Sequence, residues 1–219
     1  MSASLEQRWR ELQADWPDGS KLLAVSKGHP AESIRTLAGF GQLDFGESRL
    51  QEARPKQESL ADLALRWHFI GRLQSNKVRA VVRAFSVIHS IDSLLLAERV
   101  ARIALEEGQR PSLLLQVKLR DDPTKGGWSR SALEESWEQL QGLSGVSIVG
   151  LMTMAPQELP LDGRRQLFEE CRALADRFEL PECSMGMSGD WREAAAAGAT
   201  WLRLGSVLFG ARLHQAAAG

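Results

Sequence analysis

The stretch Leu22-Leu23-Ala24-Val25-Ser26-Lys27 is a short apolar segment near the N-terminus that ends in a lysine. A run of this length and composition predicts a buried β-strand, and similar pieces recur along the chain. We predict eight strands in all, at residues 22–26, 43–46, 67–70, 87–89, 113–117, 146–152, 183–185 and 201–204.

Helical patterns separate these strands. After a polar N-terminal helix at about residues 4–15, they lie at residues 31–38, 49–60, 75–83, 94–107, 131–141, 164–178, 191–197 and 207–215. Regular alternation of strand and helix predicts a parallel sheet, and eight such units predict a closed (β/α)8 TIM barrel, although an open doubly wound sheet remains an alternative. A length of 219 residues suits a single domain spanning residues 1–219, with the barrel at about 20–215.

The composition excludes several classes of partner. Net charge is −1 and no run of about 18 apolar residues occurs, so we expect binding neither to nucleic acid nor to membranes. The polar N-terminus predicts a cytoplasmic location. Cys171 and Cys183 have no metal-ligand spacing and are expected to be reduced thiols. Small molecules and other proteins remain as partners, and we expect a monomer.

Polar residues follow the predicted strands at their C-terminal ends, where the active face of such a barrel lies. Lys27 follows the first strand, and His68 and His89 are predicted near the ends of the third and fourth. Two small-residue turns, Ser184-Met185-Gly186-Met187-Ser188 and Arg203-Leu204-Gly205-Ser206, occur at the last two strands, where backbone N–H groups can bind a phosphate. A lysine beside a phosphate site indicates pyridoxal 5'-phosphate, whose aldehyde forms a Schiff base with a buried amine.

Each of these residues also has a purely structural interpretation. Lys27 could be a surface lysine whose stem packs on the protein, and Ser188 could cap the helix that follows it. Arg203 could belong to a structural ion pair. His68 and His89 are more typical of hydrogen-bonded barrel histidines than of metal ligands.

Eight segments of the chain carry a resemblance to a known family. They read AVSKGHP (24–30), FGESRLQE (45–52), WHFIGRLQSNK (67–77), IHSID (88–92), LLLQVK (113–118), GLMTMAP (150–156), SMGMSGDW (184–191) and RLGSVLFGAR (203–212). Taken together and in this order, the eight segments resemble those of the YggS-type pyridoxal phosphate homeostasis proteins, also called the PROSC family. That family's barrel is similar to the N-terminal barrel of alanine racemase.

The resemblance implies a role for each residue that matches the family pattern. It implies that Lys27 holds pyridoxal phosphate as a Schiff base, that Ser188, Gly205 and Ser206 lie at the phosphate, and that Arg203 lies at the pyridine nitrogen. Two positions depart from the family, which usually has asparagine where this chain has Ser48 and Lys118. The roles of Ser48 and Lys118 therefore stay open, and Lys118 adds a second amine.

Two functions are compatible with this cofactor. A racemase needs an acid or base on each face of the substrate α-carbon, and in the alanine racemase class a tyrosine serves the face opposite the lysine. This chain has no tyrosine and no room for that class's second domain. An arginine at the pyridine nitrogen also weakens the electron sink. We therefore predict a non-enzymatic pyridoxal phosphate-binding protein that serves cofactor homeostasis and delivery to apo-enzymes. The alternative is a pyridoxal phosphate-dependent amino-acid racemase or a related enzyme.

Overall fold

The computed structural model describes residues 3–122 and 126–211. Its strands are all parallel and close into a barrel in chain order, with the last strand paired to the first. The predicted (β/α)8 barrel is thus confirmed. The strands are β1 Lys21–Val25, β2 Asp44–Glu47, β3 Arg66–Phe69, β4 Val87–Ile91, β5 Ser112–Gln116, β6 Ser147–Met152, β7 Glu182–Ser184 and β8 Trp201–Leu204.

Helices follow the strands around the outside of the barrel, as the alternation predicts. A short 3-10 turn, Ser75–Lys77, leads into one of them. The α-helices are α1 Leu5–Ala14, α2 Ala31–Gly39, α3 Leu50–Ser59, α4 Val78–Ala84, α5 Leu94–Glu106, α6 Arg130–Gln141, α7 Leu161–Arg177, α8 Trp191–Ala196 and α9 Ser206–Phe209.

The last helix is shorter than its apolar pattern predicts. Instead of spanning residues 207–215, α9 ends at Phe209, because Gly210 adopts φ 86°, a left-handed value that stops a helix. Residues 212–215 of the predicted helix, and the last residue of the segment 203–212, lie outside the described residues. Within the described part, no helix is both long enough and apolar enough to cross a bilayer.

Two layers of buried side chains hold the barrel together. Outward-facing strand residues such as Ala24 and Phe45 are completely buried in the main apolar cluster, beneath the helices. The residues that alternate with them, including Leu23 and Leu114, are equally buried and fill the barrel interior. The interior also contains several polar side chains, which belong to the candidate site.

The N-terminal helix α1 packs against the last helix, α9. Arg8 donates hydrogen bonds through Nε to the carbonyl of Leu208 (2.8 Å) and through a terminal nitrogen to the carbonyl of Phe209 (2.9 Å). These are carbonyls at the C-terminal end of α9, which a cation stabilises. Arg8 therefore holds the short last helix in place from the other end of the chain.

Candidate functional site

One pocket opens at the C-terminal end of the barrel. About 1110 Å³ of space there is not filled by protein atoms, and this volume includes open solvent at the pocket entrance. All five residues predicted from the sequence, Lys27, Ser188, Arg203, Gly205 and Ser206, line this single pocket. The pocket is also lined by residues to which the sequence assigned no part in cofactor binding, namely Val25, His29, Ile70, Met152, Met154, Gln157, Met187, Gly189 and Gly210.

Lys27 lies in the loop after β1 rather than at the end of the strand itself. The strand ends at Val25, and Lys27 is half-buried in the turn that follows. The amide of His29 donates to the carbonyl of Ser26 (3.1 Å), which makes the turn compact. The His29 ring stacks on Phe209, with 4.6 Å between ring centroids. The loop that presents the lysine is therefore packed directly against α9.

A buried ionic group supports this loop from outside the barrel. Lys56 Nζ, on α3, donates to the carbonyl of Ser26 (2.9 Å) and to carboxylate oxygens of Glu47 and Glu52 (2.7 Å each). Glu52 in turn accepts a hydrogen bond from the amide of Gly28. We call Ser26, Glu47, Glu52 and Lys56 the outer ionic cluster. Its bonds to Ser26 and Gly28 fix the backbone on both sides of the pocket lysine.

The two carboxylates of the outer ionic cluster differ in their electrostatic surroundings. Burial raises the pKa of Glu47 above its usual value, and hydrogen bonds from Lys56 and Ser26 offset this only in part. Burial also acts to raise the pKa of Glu52, but there the hydrogen bonds from Lys56 and Gly28 outweigh it and lower the pKa. The sequence patterns predict no such cluster; its one signal is the spacing of Glu52 and Lys56, four residues apart on a helix.

The turn after β7 depends on a glycine. Gly186 has φ 81°, and a Cβ placed there would lie 2.5 Å from the Cβ of Ala194. Any side chain at this position would therefore clash as well as strain the backbone. The amide of Met187 donates to Asp190 Oδ1 (2.7 Å), which completes the turn. The loop is thus held in one shape beside the pocket.

The two small-residue turns meet at Ser188. This serine does not cap the following helix; instead its Oγ accepts from the amide of Val207 (3.4 Å), in the first turn of α9. At Gly205, a Cβ would meet only atoms of Val25 within 4 Å, none nearer than 3.4 Å. These are ordinary van der Waals distances, so the surrounding protein leaves room for a Cβ at Gly205.

Arg203 is buried at the inner end of the pocket. Its guanidinium donates to Ser184 Oγ and to the carbonyl of Thr153, both at 2.9 Å. Burial lowers its pKa to about 10, so it stays charged at neutral pH. Among the described residues it forms no salt bridge, and the structural ion-pair interpretation is therefore wrong.

His68 and His89 do not lie at the barrel mouth, where the sequence placed them. Both side chains are inside the barrel, essentially without exposure. The prediction ended the fourth strand at residue 89, but β4 continues to Ile91, so His89 lies within the strand rather than at its end. It points into the barrel because it alternates with Ile88, which packs in the outer apolar cluster. Both rings are hydrogen-bonded, so the interpretation as satisfied barrel histidines is confirmed.

The buried histidines make stability depend on pH. Burial lowers the pKa of His68 and lowers that of His89 well below the usual 6.5, so the unfolded chain binds more protons than the folded one below that pH. We expect stability to be greatest above about pH 6.5 and to fall below it, by up to about 1.4 kcal/mol per pH unit for each histidine.

Urea unfolding measured between about pH 8 and about pH 5 checks this expectation. The variant His89→Gln, which cannot titrate, should lose stability less steeply with acid than the unchanged protein. Equal slopes for the two proteins, or stability that rises on acidification, would contradict the neutral, buried state of His89.

Comparison with known proteins identifies the family. The model of the alanine racemase N-terminal domain matches residues 2–213. The chain belongs to the alanine racemase N-terminal domain family. Within this family it is similar to the pyridoxal phosphate homeostasis protein of Synechocystis sp., with 47% identity over 212 residues, covering 94% of this chain and 97% of the relative. The protein of the same name from Escherichia coli K12 is 35% identical over 204 residues, covering 90% and 87%. The family resemblance drawn from the sequence motifs is confirmed.

Two solved structures are also similar to this chain. PipY of Synechococcus elongatus PCC7942, in the form with PLP bound, matches with a TM-score of 0.90 and 46% identity, covering 94% of this chain and all of that one. Alanine racemase of Clostridium difficile 630 matches with a TM-score of 0.77 at 15% identity, and only 57% of its chain is covered. The similarity to alanine racemase concerns the barrel fold alone.

The two positions that depart from the homeostasis-protein pattern lie away from the pocket wall. The Lys118 side chain is about one-third exposed, and its Nζ lies 4.0 Å from Asp121 Oδ1. It lines a neighbouring recess that shares only Met154 with the main pocket. The backbone of Ser48 packs closely on Gly71. A Cβ added to Gly71 would lie 2.1 Å from the carbonyl oxygen of Ser48. Neither residue lines the pocket that contains Lys27.

Proposed function

We propose that this chain binds pyridoxal 5'-phosphate as a Schiff base on Lys27 and takes part in cofactor homeostasis. The observation that supports this most directly is the single pocket in which an amine, a buried guanidinium and two small-residue turns face the same space. The names of the homeostasis relatives and the PLP-bound form of PipY support it independently.

Each predicted residue has a role in this proposal. Lys27 would be the amine that holds the cofactor through its aldehyde, with loss of one water, and addition of water would free both the amine and the cofactor. Ser188, Gly205 and Ser206 hold the phosphate where the two turns meet at the start of α9. Arg203 donates to the pyridine nitrogen. When bound, the cofactor supplies an aldehyde that can pass from one amine to another.

The same residues argue against significant catalysis. Arg203 is a donor that stays charged, so it does not provide the ring protonation that stabilises a carbanion. The sequence has no tyrosine to act on the second face of a substrate. His68 and His89 lie behind Arg203 in the barrel interior and do not line the pocket. We therefore propose a cofactor carrier that supplies apo-enzymes in the cytoplasm, and the relatives named as homeostasis proteins support this view.

One experiment separates carrier from enzyme. Holoprotein incubated with L- or D-alanine in deuterated water should exchange the α-proton far more slowly than metabolic enzymes turn over, at a median of about 10 per second. The same holoprotein should restore activity to an apo-enzyme that requires pyridoxal phosphate. Exchange at even about a tenth of that median rate would establish the racemase alternative. Failure to bind the cofactor would overturn both functions.

A charge change at the meeting point of the turns tests the phosphate site. Ser188→Asp or Ser206→Asp should weaken binding of pyridoxal phosphate by on the order of 1–3 kcal/mol, because a carboxylate repels the phosphate and removes a hydrogen-bond donor. Binding of pyridoxal, which has no phosphate, should change little. The matched controls are Ser188→Asn and Ser206→Asn, which have the same shape without the charge. Equal losses for both ligands in fluorescence titrations would assign these serines to folding instead.

A further inference from the structure

A line of buried polar side chains crosses the barrel and ends at the pocket. His68 Nε2 lies 3.0 Å from Asp44 Oδ1, and His68 Nδ1 lies 2.9 Å from His89 Nε2. His89 Nδ1 lies 2.9 Å from Ser184 Oγ, and this hydroxyl accepts from the Arg203 guanidinium, also at 2.9 Å. We call these five residues the inner chain. It joins strands β2, β3, β4, β7 and β8, and it contains all the hydrogen bonds found for the two histidine rings.

The two ends of the inner chain decide the direction of every bond in it. A guanidinium only donates and a carboxylate only accepts. With neutral rings, His68 must therefore keep its proton on Nε2, facing Asp44, and accept at Nδ1. His89 must then carry its proton on Nε2 and accept the hydroxyl proton of Ser184 at Nδ1. One arrangement satisfies all four contacts, and all donors in it point from Arg203 toward Asp44.

The rings are neutral because of where they lie. Burial lowers the pKa of His89 well below its usual value, and the neighbouring His68 and Arg203 lower it further. Burial lowers the pKa of His68 as well, although Asp44 opposes this. Hydrogen bonds from His68 and Arg66 more than offset burial at Asp44 and lower its pKa, so this carboxylate is ionised at neutral pH.

The inner chain therefore connects a buried cation at the pocket to a carboxylate on the far side of the barrel. Arg203 has no carboxylate within salt-bridge distance in the described part of the chain. Hydrogen bonds in series polarise one another, so the negative end at Asp44 makes Ser184 Oγ a better acceptor for the guanidinium. That bond, with the one to the Thr153 carbonyl, fixes where Arg203 can point into the pocket.

We propose that Asp44, His68, His89 and Ser184 are positioning residues that act through Arg203 on the ring nitrogen of the ligand. None of the four lines the pocket. This inference rests on the proposed function for the identity of the ligand, but the existence and direction of the inner chain do not. It makes Asp44, at the opposite end of the barrel, a determinant of how the ligand ring is held.

The direction of the inner chain can be tested without any cofactor. Long-range proton–nitrogen NMR of the apoprotein, with imidazole signals assigned from single histidine variants, should find both His68 and His89 neutral with the proton on Nε2. In Asp44→Leu, His68 loses the acceptor for its Nε2 proton while Ser184 still accepts from Arg203, so the two rings are no longer held in one tautomer. The Nε2-protonated form should then lose population on His89 as well as on His68, although His89 does not contact Asp44. A charged ring or an Nδ1 proton in the unchanged apoprotein would overturn the proposed direction.

The link to the ligand needs a second measurement. Asp44→Asn and Ser184→Ala should each weaken pyridoxal phosphate binding by about tenfold, within the coupling range of residues in one hydrogen-bond network. In an Arg203→Lys background the same changes should have almost no effect, because they act through the guanidinium. Ser90→Ala is the matched control: Ser90 is a buried serine next to His89 whose hydroxyl has no partner found among the described residues, and binding should be unchanged.

The outcomes separate the two proposals. Asp44→Asn and Ser184→Ala could weaken pyridoxal phosphate binding equally with and without the Arg203→Lys change. That result would show that Asp44 and Ser184 act on folding alone and would overturn the positioning role. Absence of pyridoxal phosphate binding in the unchanged protein, together with the expected proton positions on both histidines, would overturn the proposed function and leave the inner chain established.

Discussion

Replacing Lys27 with alanine should abolish the covalent pyridoxal phosphate adduct while leaving the barrel folded. The side chain is half-buried in a turn after β1 and is absent from the apolar core, so its removal creates no internal cavity. The expected result is loss of the visible Schiff-base absorbance and of any mass increment after borohydride reduction. The thermal midpoint of the apoprotein should stay within a few degrees of that of the unchanged protein.

Lys118 provides the control for this experiment. It is the second amine near the barrel mouth, and it lines a separate recess. Lys118→Ala should therefore keep the adduct, and peptide mapping should find it on Lys27. An adduct mapped mainly to Lys118, or to Lys125, which lies outside the described residues, would contradict the assignment.

Replacing Lys56 with methionine should cause the largest loss of stability among the changes considered. It removes the cation of the outer ionic cluster and leaves Glu47, a completely buried carboxylate, without its charged partner. Breaking a buried pair in this way typically costs about 3–5 kcal/mol, because the remaining charge has no solvent. The free energy of unfolding from urea titration at neutral pH measures the effect.

Two further variants show whether the loss comes from the buried charge. Adding Glu47→Gln to Lys56→Met removes the stranded carboxylate and should recover a large part of the lost stability. Arg35→Met breaks an ion pair with Asp62 in which both partners are highly exposed, and its unfolding midpoint should barely move. If Lys56→Met lowered the free energy of unfolding as little as Arg35→Met, the outer ionic cluster would not stabilise the Lys27 loop.

The barrel and the members of its pocket could be predicted from the sequence because both follow from periodicity and topology. Short apolar runs separated by helical patterns indicate parallel strands, and a parallel barrel brings the ends of all its strands to one face. Lys27 and Gly205 lie far apart in sequence, yet they must meet once β1 pairs with β8. No knowledge of side-chain conformation was needed for this step.

The directions of individual side chains could not be predicted in the same way. His89 lies in the interior because β4 continues two residues beyond the predicted end of the strand, and the exact end of a strand is poorly marked in a single sequence. The spacing of Glu52 and Lys56 indicates only a pair on a helix surface. Whether that pair is exposed or buried depends on how α3 docks over β2, which is a property of tertiary packing.

The contact of Arg8 with α9 also determines when the pocket can form during synthesis. Its hydrogen bonds to Leu208 and Phe209 join residues 200 and 201 positions apart. At about 5–20 residues per second, a ribosome needs on the order of 10–40 seconds to make the intervening chain. Throughout that time the arginine of α1 lacks its two carbonyl acceptors on α9, and the loop of Lys27 has no Phe209 against which to stack. Contacts between residues so far apart in sequence form late in folding. The cofactor pocket is therefore among the last parts of the molecule to assemble.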